Sequence, residues 1–379
     1  MAQGYELMAA KFETYEPIIC NERAHKLKLN QVDWKESVVV RSPNWLGDAL
    51  MTLPALYQLR RIMSSQASFD IVCPEKIASF WQCVPWVDNI ITISARRLNR
   101  EKRERMVTPL HAGVAIILPN SFGSAKDLYL KSIPVRVGRR GNLRRSLLTH
   151  TLPPFVRKKG QDTHHQATEY FDIISAFGNI DRKINYPPLE VGSLFDNSTA
   201  FEVQMFLDDE APDSPILLIS PGAAFGPAKQ WPIAYFAQVA KSWSDDGGVV
   251  LVVGTEADIF ASDVIVEECK FGYNLAGKTD LKELIAIMQM SDLCLCNDSG
   301  GMHLAAACGL SGVGVFGSTS PVATGPLGSS KWIVAHSDLP CSPCLERQCP
   351  LDNPEEQYRC LKEISPETVY DQLSALLED

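Results

Sequence analysis

The sequence predicts an α/β protein made of two facing Rossmann-like domains with mostly parallel sheets. The first observation is length, because 379 residues correspond to about two domains at roughly 100–200 residues each. The second is that short apolar segments alternate with segments of helical periodicity in both halves, which is typical of parallel sheets covered by helices. The third is a stretch rich in Pro, Asp, Ser and Asn over 187–214 that separates the halves. We therefore predict an N-terminal extension over 1–36 and two domains over 37–195 and 196–379.

The first half contains four predicted strands, in which β-branched and aliphatic residues predominate. They are Ser37–Val40, Phe69–Cys73, Asn89–Ile93 and Gly113–Leu118. After the first strand, apolar residues at helical spacing predict one helix from Leu46 to Arg61, where two arginines suit the negative end of a helix dipole. A second helix is expected over Glu75–Gln82. Residues 1–36 show no sustained period, so we expect them to be ordered only in part.

The second half repeats this alternation. Strands are expected at Pro215–Ser220, Gly248–Val253, Asp292–Cys296 and Gly312–Phe316. Helices are expected at Ile233–Trp243, Ala257–Cys269, Leu281–Met290 and Met302–Cys308. Each predicted strand is followed by a loop that leads towards a helix, and in such folds ligands bind at the carboxyl ends of the strands.

Composition excludes several classes of protein. Hydrophobic residues make up 45% and charged residues 21% of the chain, as in soluble globular proteins. The longest apolar runs are far shorter than the roughly 20 residues that a membrane span requires. Met1–Ala10 lacks the features of a signal peptide, so we expect the eleven cysteines to be mostly reduced thiols in a cytoplasm. A net charge of −9 argues mildly against a nucleic-acid-binding protein.

The loop after the first strand, Pro43–Asp48, has a single glycine. A dinucleotide-binding loop requires Gly-x-Gly-x-x-Gly at this place, so a dehydrogenase is disfavoured. Asp48 instead offers a carboxylate in the first turn of a helix, at the sheet edge where ligands bind. A stabilising interaction with the helix dipole explains its position equally well.

Two loops of the second half suit a phosphate. In Ser220–Pro232, glycines allow a ligand to approach the backbone, and Lys229 supplies a cation. In Asn297–His303, Asp298 or Ser299 is a suitable N-cap before two glycines whose amides lie at the positive end of a helix. Each loop taken alone is also compatible with an ordinary turn. Two phosphate-suited helix starts in one domain point to a diphosphate, and therefore to a nucleotide.

Four segments resemble the lipopolysaccharide heptosyltransferases, which form glycosyltransferase family 9. The resemblance is closest to the heptosyltransferase II type, and its motifs occur in the order typical of that family. It implies a GT-B fold and an inverting transfer of L-glycero-D-manno-heptose from ADP-heptose to the inner core attached to lipid A. The segments are Trp45–Asp48, Leu118–Phe122, Gly222–Pro232 and Asp298–His303.

The resemblance also implies roles for individual residues. Asp48 corresponds to the general base, and Lys229 to the catalytic lysine beside the leaving diphosphate. Lysine, histidine and a helix dipole replace a divalent cation, so no cofactor is expected for catalysis. The donor-binding residues that it implies are Gly222, Ala224, Phe225, Lys229, Glu256, Thr279, Asp298, Ser299, Gly300, Gly301 and His303.

A basic segment over 90–160 contains sixteen Lys and Arg against three Asp and Glu. Because it lies in the domain that carries Asp48, we interpret it as the acceptor side, where it binds an anionic glycolipid and contacts an anionic membrane leaflet. Solvated surface charges are the alternative interpretation. A cytoplasmic enzyme, peripheral at the inner membrane, is expected. The candidate acceptor-binding residues are Asn120, Ser121, Arg139, Arg140 and Arg144.

The tail departs from the best-known members of the family. Cys341, Cys344, Cys349 and Cys360 have a spacing that suits a structural zinc with four thiolates. Reduced cysteines in an irregular loop are the alternative. The C-terminal helix is expected to pack back on the first domain.

Two alternative functions stay open at this point. One is a heptosyltransferase that modifies a different core position. The other is a zinc-containing nucleic-acid-binding protein, which the two phosphate-suited loops disfavour.

Overall fold

The computed structural model describes residues 10–19, 37–93, 111–155, 163–192, 198–211 and 213–378. In these ranges the strands are β1 (Lys11–Thr14), β2 (Ser37–Arg41), β3 (Phe69–Pro74), β4 (Asn89–Ile93), β5 (Ala112–Ile117), β6 (Val135–Arg139), β7 (His150–Leu152), β8 (Ile216–Ser220), β9 (Val249–Val252), β10 (Gly272–Asn274), β11 (Leu293–Asn297), β12 (Ser311–Val315) and β13 (Trp332–His336). The helices are α1 (Leu46–Leu50), α2 (Leu53–Ile62), α3 (Ala78–Gln82), α4 (Phe122–Tyr129), α5 (Ala167–Ile174), α6 (Thr199–Glu210), α7 (Ile233–Asp245), α8 (Ile259–Val266), α9 (Leu281–Met290), α10 (Gly300–Ala307), α11 (Pro321–Thr324), α12 (Arg359–Lys362) and α13 (Pro366–Glu378).

The chain forms two compact units, each built around one sheet. The six-stranded unit comprises Ile19–Arg157 and Gln166–Glu190. The seven-stranded unit comprises Met1–Ile18, Lys158–His165 and Val191–Asp379. Both sheets are mostly parallel and alternate with helices along the chain, so the prediction of two Rossmann-like α/β units is confirmed.

The sheet of the six-stranded unit has the order β4-β3-β2-β5-β6-β7, and its pairs are all parallel. The central strand β2 is buried along Val38–Val40, as expected for a parallel strand that is covered on both faces. At its carboxyl end Arg41 is also buried, and its guanidinium bonds Asp127 and the side chain of Asn44 at 3.1 and 2.9 Å. Arg41 thereby holds the loop that leads to Asp48.

The single helix predicted from Leu46 to Arg61 is two helices. The chain breaks after Leu50, and the Thr52 hydroxyl donates to the carbonyl oxygen of Ala49 at 2.6 Å. Pro54 lies in the first turn of α2, where its missing N–H costs nothing, whereas within a continuous helix it would remove a hydrogen bond. The break confines Asp48 to the short helix α1.

The sheet of the seven-stranded unit has the order β1-β13-β12-β11-β8-β9-β10. The six strands from β8 to β13 are parallel, and only β1 joins the sheet in the antiparallel sense. The N-terminal extension, for which we expected partial order, therefore contributes an edge strand to the C-terminal sheet. Residues 20–36 of the extension lie outside the described residues.

The C-terminal helix α13 packs in its own unit. Val369, Leu373 and Leu376 share a buried cluster with Trp243 of α7 and Leu293 of β11. Its apolar face therefore belongs to the core beside the seven-stranded sheet, instead of to the first domain as the sequence analysis expected. In the part of the chain that the structure describes, no helix has both the length and the apolar character needed to cross a bilayer.

Candidate active site

A buried ion pair connects the two phosphate-suited loops of the seven-stranded unit. Lys229 ends a short 3-10 helix, Pro227–Lys229, and its Nζ lies 2.5 Å from Oδ2 of Asp298. Its side chain is 12% exposed and that of Asp298 3%. The hydroxyls of Thr319 and Thr324 donate to the same carboxylate oxygen at 2.5 and 3.3 Å. Asp298, which we expected to bind the donor, therefore orients Lys229 and is itself almost enclosed.

Asn297 joins the same loops through a second set of bonds. It is completely buried, its amide donates to the carbonyl oxygen of Pro221 at 2.6 Å, and its side-chain oxygen accepts from the N–H of Trp231 at 3.0 Å. The loop 221–231 is thus tied at both ends to the carboxyl end of β11. Nothing in the local sequence pattern distinguishes Asn297 from an ordinary turn residue.

Helix α10 begins with two half-buried glycines, Gly300 and Gly301. Ser299 is the N-cap, and its hydroxyl accepts from the N–H of Gly301 at 3.3 Å. A Cβ at Gly301 would lie 2.5 Å from Oγ of Ser220, so the helix start reaches the end of β8 only because this residue has no side chain. Gly300 is the first residue of the helix. This start has the geometry of an anion site.

His303 lies in the first turn of α10 and is buried, with Nδ1 making no hydrogen bond to any described residue. Burial lowers the pKa of His303 to about 4, since the opposing effect of the Asp298 carboxylate is smaller and the Lys229 cation lowers the pKa further. At neutral pH the imidazole is therefore uncharged. His303 therefore adds no positive charge beside Lys229.

This neutral histidine predicts a pH dependence of stability. A pKa of about 4 in the folded state, below about 6.5 in the unfolded state, means that the unfolded chain binds the proton more readily. The His303 contribution is complete above pH ~6.5 and is lost as the pH falls towards 4, up to about 3 kcal/mol. Urea unfolding of wild type and His303→Gln at several pH values measures it. As the pH falls from 6.5 to 4, we expect wild type to lose free energy of unfolding relative to His303→Gln. A difference that does not depend on pH would contradict the prediction.

The cysteine-containing tail supports the Lys229 loop. Gly226 has a φ of 148°, and a Cβ there would lie 2.5 Å from the carbonyl oxygen of Arg347. The same carbonyl accepts from the N–H of Ala228 at 3.1 Å. Phe225 lies beneath two cations, with Nζ of Lys229 5.2 Å and Cζ of Arg347 5.6 Å from its ring centroid. The position of Lys229 thus depends on Arg347, a contact that sequence analysis missed.

The remaining predicted donor residues lie on loops around the same sheet edge. Glu256 is exposed and lies beside the loop that contains Gly277 and Thr279. A Cβ at Gly277 would lie 3.3 Å from the Glu256 Cα. At Gly222 a Cβ would lie 2.7 Å from a carboxylate oxygen of Asp258, an acid that sequence analysis did not single out. Ala224 is exposed at the tip of its loop.

Tyr15 brings the N-terminal extension to this site. Its N–H donates to the carbonyl oxygen of Trp332 at 2.7 Å, and its ring occupies the space that a Cβ of Gly325 would need. Burial raises the pKa of the Tyr15 hydroxyl above its usual range, and the charge of Asp298 adds to the rise. The hydroxyl oxygen has no hydrogen-bond partner of ordinary geometry among the described residues. Tyr15 lies near Asp298 because β1 pairs with β13, and no local sequence pattern indicates this.

Asp48 lies in the six-stranded unit, at the carboxyl end of the central strand as expected. It is partly buried in the first turn of α1, and Oδ1 accepts from Nε2 of Gln166 at 2.9 Å. The Gln166 amide also donates to the hydroxyl of Tyr170 at 3.3 Å. Gln166 orients the carboxylate and was not anticipated from sequence.

Two of the five predicted acceptor residues are buried and hydrogen-bonded within the six-stranded unit. Arg139 is buried against Asp172 at 3.3 Å and donates to the carbonyl oxygen of Pro153 at 3.0 Å. Arg144 is completely buried, and its Nη2 donates to the side-chain oxygen of Asn120 at 3.0 Å. Neither guanidinium is presented to an acceptor, because that of Arg139 is bound to Asp172 and Pro153 and that of Arg144 to Asn120.

The other three acceptor candidates are accessible. Arg140 and Asn120 are exposed, and Ser121 is exposed at the N-cap of α4. Part of the basic segment, the cations at 96–105 and 157–159, lies outside the described residues.

The four tail cysteines lie in one neighbourhood. Burial raises the pKa of the Cys360 thiol to about 12, and the thiols of Cys341, Cys344 and Cys349 add to the rise. Among the described residues, however, no three His, Cys, Asp or Glu side chains are arranged as a metal centre. The four cysteines are therefore near one another, as their spacing predicts, but their thiols are not arranged to bind a metal.

Two Rossmann-like units, one with a helix start that suits an anion and one with a carboxylate at the end of its central strand, are typical of a glycosyltransferase of the GT-B type. The chain belongs to the family described as glycosyltransferase family 9 (heptosyltransferase), whose model matches residues 103–354. The fold, family and enzyme class predicted from the motifs are thereby confirmed.

Relatives and solved structures agree with this assignment. The chain is 27% identical to lipopolysaccharide heptosyltransferase 2 of Escherichia coli K12, covering 90% of this chain and 98% of that protein. It is 29% identical to lipooligosaccharide heptosyltransferase 2 of Haemophilus influenzae, covering 79% and 88%. The structure of E. coli ADP-heptose LPS heptosyltransferase II is similar with a TM-score of 0.68 at 26% identity, covering 90% and 98%. A family 9 glycosyltransferase of Veillonella parvula shares the fold, with a TM-score of 0.71 at 22% identity, covering 92% and 98%.

Proposed function

We propose that this enzyme transfers L-glycero-D-manno-heptose from ADP-heptose to the inner core of lipopolysaccharide, with inversion at the anomeric carbon. The observation that carries the proposal is the Lys229–Asp298 pair beside the helix start at Ser299 and the neutral His303, whose Nδ1 has no hydrogen-bond partner among the described residues. This arrangement suits a diphosphate, and the relatives of the chain are named as heptosyltransferases of the second type.

On the donor side, the seven-stranded unit stabilises the leaving ADP. The amides of Gly300 and Gly301 and the imidazole of His303 hydrogen-bond phosphate oxygens, and Lys229 places its cation near the charge that develops as the anomeric C–O bond breaks. Glu256 accepts from the ribose hydroxyls, and the Thr279 loop borders the adenine. Gly222, Ala224 and Phe225 form the backbone surface against which the donor lies.

On the acceptor side, Asp48 acts as the general base. The acceptor hydroxyl oxygen attacks the anomeric carbon, its proton passes to the Asp48 carboxylate, and ADP leaves with the bonding electron pair. Gln166 holds the carboxylate through Oδ1 at 2.9 Å. The accessible candidates Asn120, Ser121 and Arg140 bind the anionic core, and a membrane leaflet with anionic lipids is the surface on which the acceptor is met.

No divalent cation is required in this proposal, because Lys229, the helix start and His303 together supply the stabilisation of the diphosphate. A structural zinc at Cys341, Cys344, Cys349 and Cys360 stays a prediction. The zinc content of protein purified without a chelator tests it, and one equivalent per chain is the result that the cysteine spacing predicts.

The function is tested by incubating purified enzyme with ADP-heptose and a panel of truncated lipopolysaccharide acceptors while ADP release is measured. We expect release with the acceptor that ends in the first core heptose, and none with UDP-sugars. Release only with an acceptor that lacks this heptose would instead favour the alternative of a different acceptor position. An absence of release with every acceptor would contradict the proposal.

Tyr15→Phe tests whether the N-terminal extension contributes to the donor site. The buried hydroxyl has no hydrogen-bond partner of ordinary geometry among the described residues, so we expect it to donate to bound ADP, and its removal to weaken ADP binding by up to about tenfold. In the absence of ADP, the variant is expected to melt at the same or a higher temperature, because an unsatisfied buried hydroxyl is lost. Calorimetry and thermal unfolding measure both effects. Tyr235→Phe in the same unit is the control, and equal ADP affinity in Tyr15→Phe and wild type would refute the role.

A further inference from the structure

The loop between β6 and β7 projects a leucine into solvent. In this loop Gly141, Asn142 and Leu143 have φ angles of 139°, 47° and 58°. The left-handed region suits Gly and Asn, whereas a bulky side chain such as Leu is rarely found there. The Leu143 side chain is 92% exposed, so no packing within the chain compensates for its conformation. Such a residue indicates a functional constraint on the loop.

The loop is anchored from beneath by a buried cation. Arg144 is completely buried, and its guanidinium donates to the backbone carbonyls of Pro119 and Arg139 and to the side chain of Asn120. Asn142 adds a hydrogen bond to the carbonyl oxygen of Asn120 at 2.6 Å. Burial lowers the pKa of Arg144 to about 10, and the Arg139 charge lowers it further. Among the described residues no carboxylate pairs with Arg144. Its buried guanidinium is therefore stabilised by the hydrogen bonds that hold this loop in place.

Exposed cations flank the leucine on both sides. Arg140 and Arg145 are exposed, and neither forms an ion pair with a described residue. Together with Leu143 and Pro154 they line a shallow concavity on this face. A second apolar side chain, Phe122, is 45% exposed and lies two residues after Asn120, to which the loop is bonded. The face therefore combines protruding apolar groups with unpaired positive charges.

We propose that the loop 140–145 is a membrane-contacting finger, in which Leu143 inserts below the headgroups of an anionic bilayer while Arg145 binds lipid phosphates. This inference rests on the proposed function, because the lipopolysaccharide acceptor is what would bring the enzyme to a membrane. A bilayer matches this face because it presents phosphates above hydrocarbon, in the same order as the arginine and the leucine tip. A soluble sugar phosphate would use the cations but leave the leucine without a partner.

The test is flotation of the full chain with vesicles of phosphatidylglycerol and phosphatidylcholine, and with phosphatidylcholine alone. Leu143→Asn is the informative variant, since Asn adopts the left-handed backbone but has no apolar side chain. We expect its affinity for the anionic vesicles to fall about tenfold, as expected for the loss of one inserted leucine side chain. For Arg145→Gln we expect a loss of about fivefold on anionic vesicles and no change on neutral ones.

Two controls separate membrane contact from misfolding. Leu143→Asn should melt at or above the temperature of wild type, because the strained residue is replaced by one that suits its φ. Phe260→Ser removes another side chain, 75% exposed, from the seven-stranded unit and should leave vesicle binding unchanged. Equal binding by Leu143→Asn and wild type would overturn the proposal. So would binding of wild type only to vesicles that contain the glycolipid acceptor, because the loop would then recognise the acceptor instead of the bilayer.

Transfer to a deacylated, water-soluble acceptor distinguishes failure of the finger from failure of the proposed function. If wild type transfers heptose to this acceptor but does not bind anionic vesicles, the finger is refuted and the function stands. If wild type binds the vesicles through Leu143 but transfers heptose to no acceptor, the function is refuted and the membrane contact stands.

Discussion

Asp48→Asn is expected to lower kcat for heptose transfer by about 10²–10⁴-fold while leaving ADP affinity unchanged. The amide oxygen can still accept the hydrogen bond that Gln166 donates at 2.9 Å, so the fold around α1 is retained. The amide has no basicity, however, and the acceptor hydroxyl loses the group that takes its proton. The residues proposed to bind ADP belong to the other unit and are not altered. Steady-state ADP release and calorimetric ADP binding measure the two effects.

The matched control is Asp70→Asn in the same unit. Asp70 lies near the amino end of β3, where it is buried and accepts from Asn89 at 2.8 Å. Ligands bind at the opposite edge of such sheets, so this variant should keep its transfer rate. An active Asp48→Asn enzyme would show that the base has been assigned to the wrong residue. A loss of activity in both variants would point to damage to the fold.

Lys229→Met is expected to lower kcat by about 10²–10³-fold and to weaken ADP binding. The variant removes the cation nearest to the departing diphosphate, and a single group that stabilises such charge is worth this much. It also leaves the Asp298 carboxylate, 3% exposed, without its counter-ion. We therefore expect the free energy of unfolding to fall by about 3 kcal/mol, although the hydroxyls of Thr319 and Thr324 still stabilise the carboxylate.

The double variant Lys229→Met/Asp298→Asn separates these two effects. Neutralising Asp298 removes the unpaired buried charge, so stability should return towards that of wild type. Transfer should not return, because the cation is still missing. Urea unfolding and ADP release, measured on the same preparations, test this. Recovery of transfer in the double variant would mean that Lys229 acts only by balancing Asp298.

The cations of the basic segment show where sequence reasoning reached its limit. Arg139, Arg140 and Arg144 are equivalent in the sequence, and all three were expected to face the acceptor. In the structure only Arg140 is exposed, since Arg139 pairs with Asp172 and Arg144 enters the core beneath Leu143. Charge is a local property of composition, whereas burial depends on which distant residues fold over the side chain.

The donor side shows the opposite case. The turns that contain Lys229 and Ser299 were recognisable because they follow strands and precede helices, and parallel strands bring such turns to one edge. No local pattern predicted that Asp298 pairs with Lys229. Nor did any pattern predict that Tyr15 of the extension lies near this pair. Both relations join residues far apart in the chain, and they exist only once β1, β8 and β11 have entered one sheet.

The sequence by itself determined the alternation of strands and helices, the family, and the loops that carry the proposed site residues, because these depend on periodicity and on short motifs. The tertiary structure alone decided which of the residues in those loops are exposed, charged or held by a partner. It made His303 neutral by burial, interrupted the predicted helix after Leu50, and placed Leu143 in solvent above a buried arginine. Solvation and pairing of side chains are properties of the packed molecule, so the electrostatics of this enzyme could be known only after its fold.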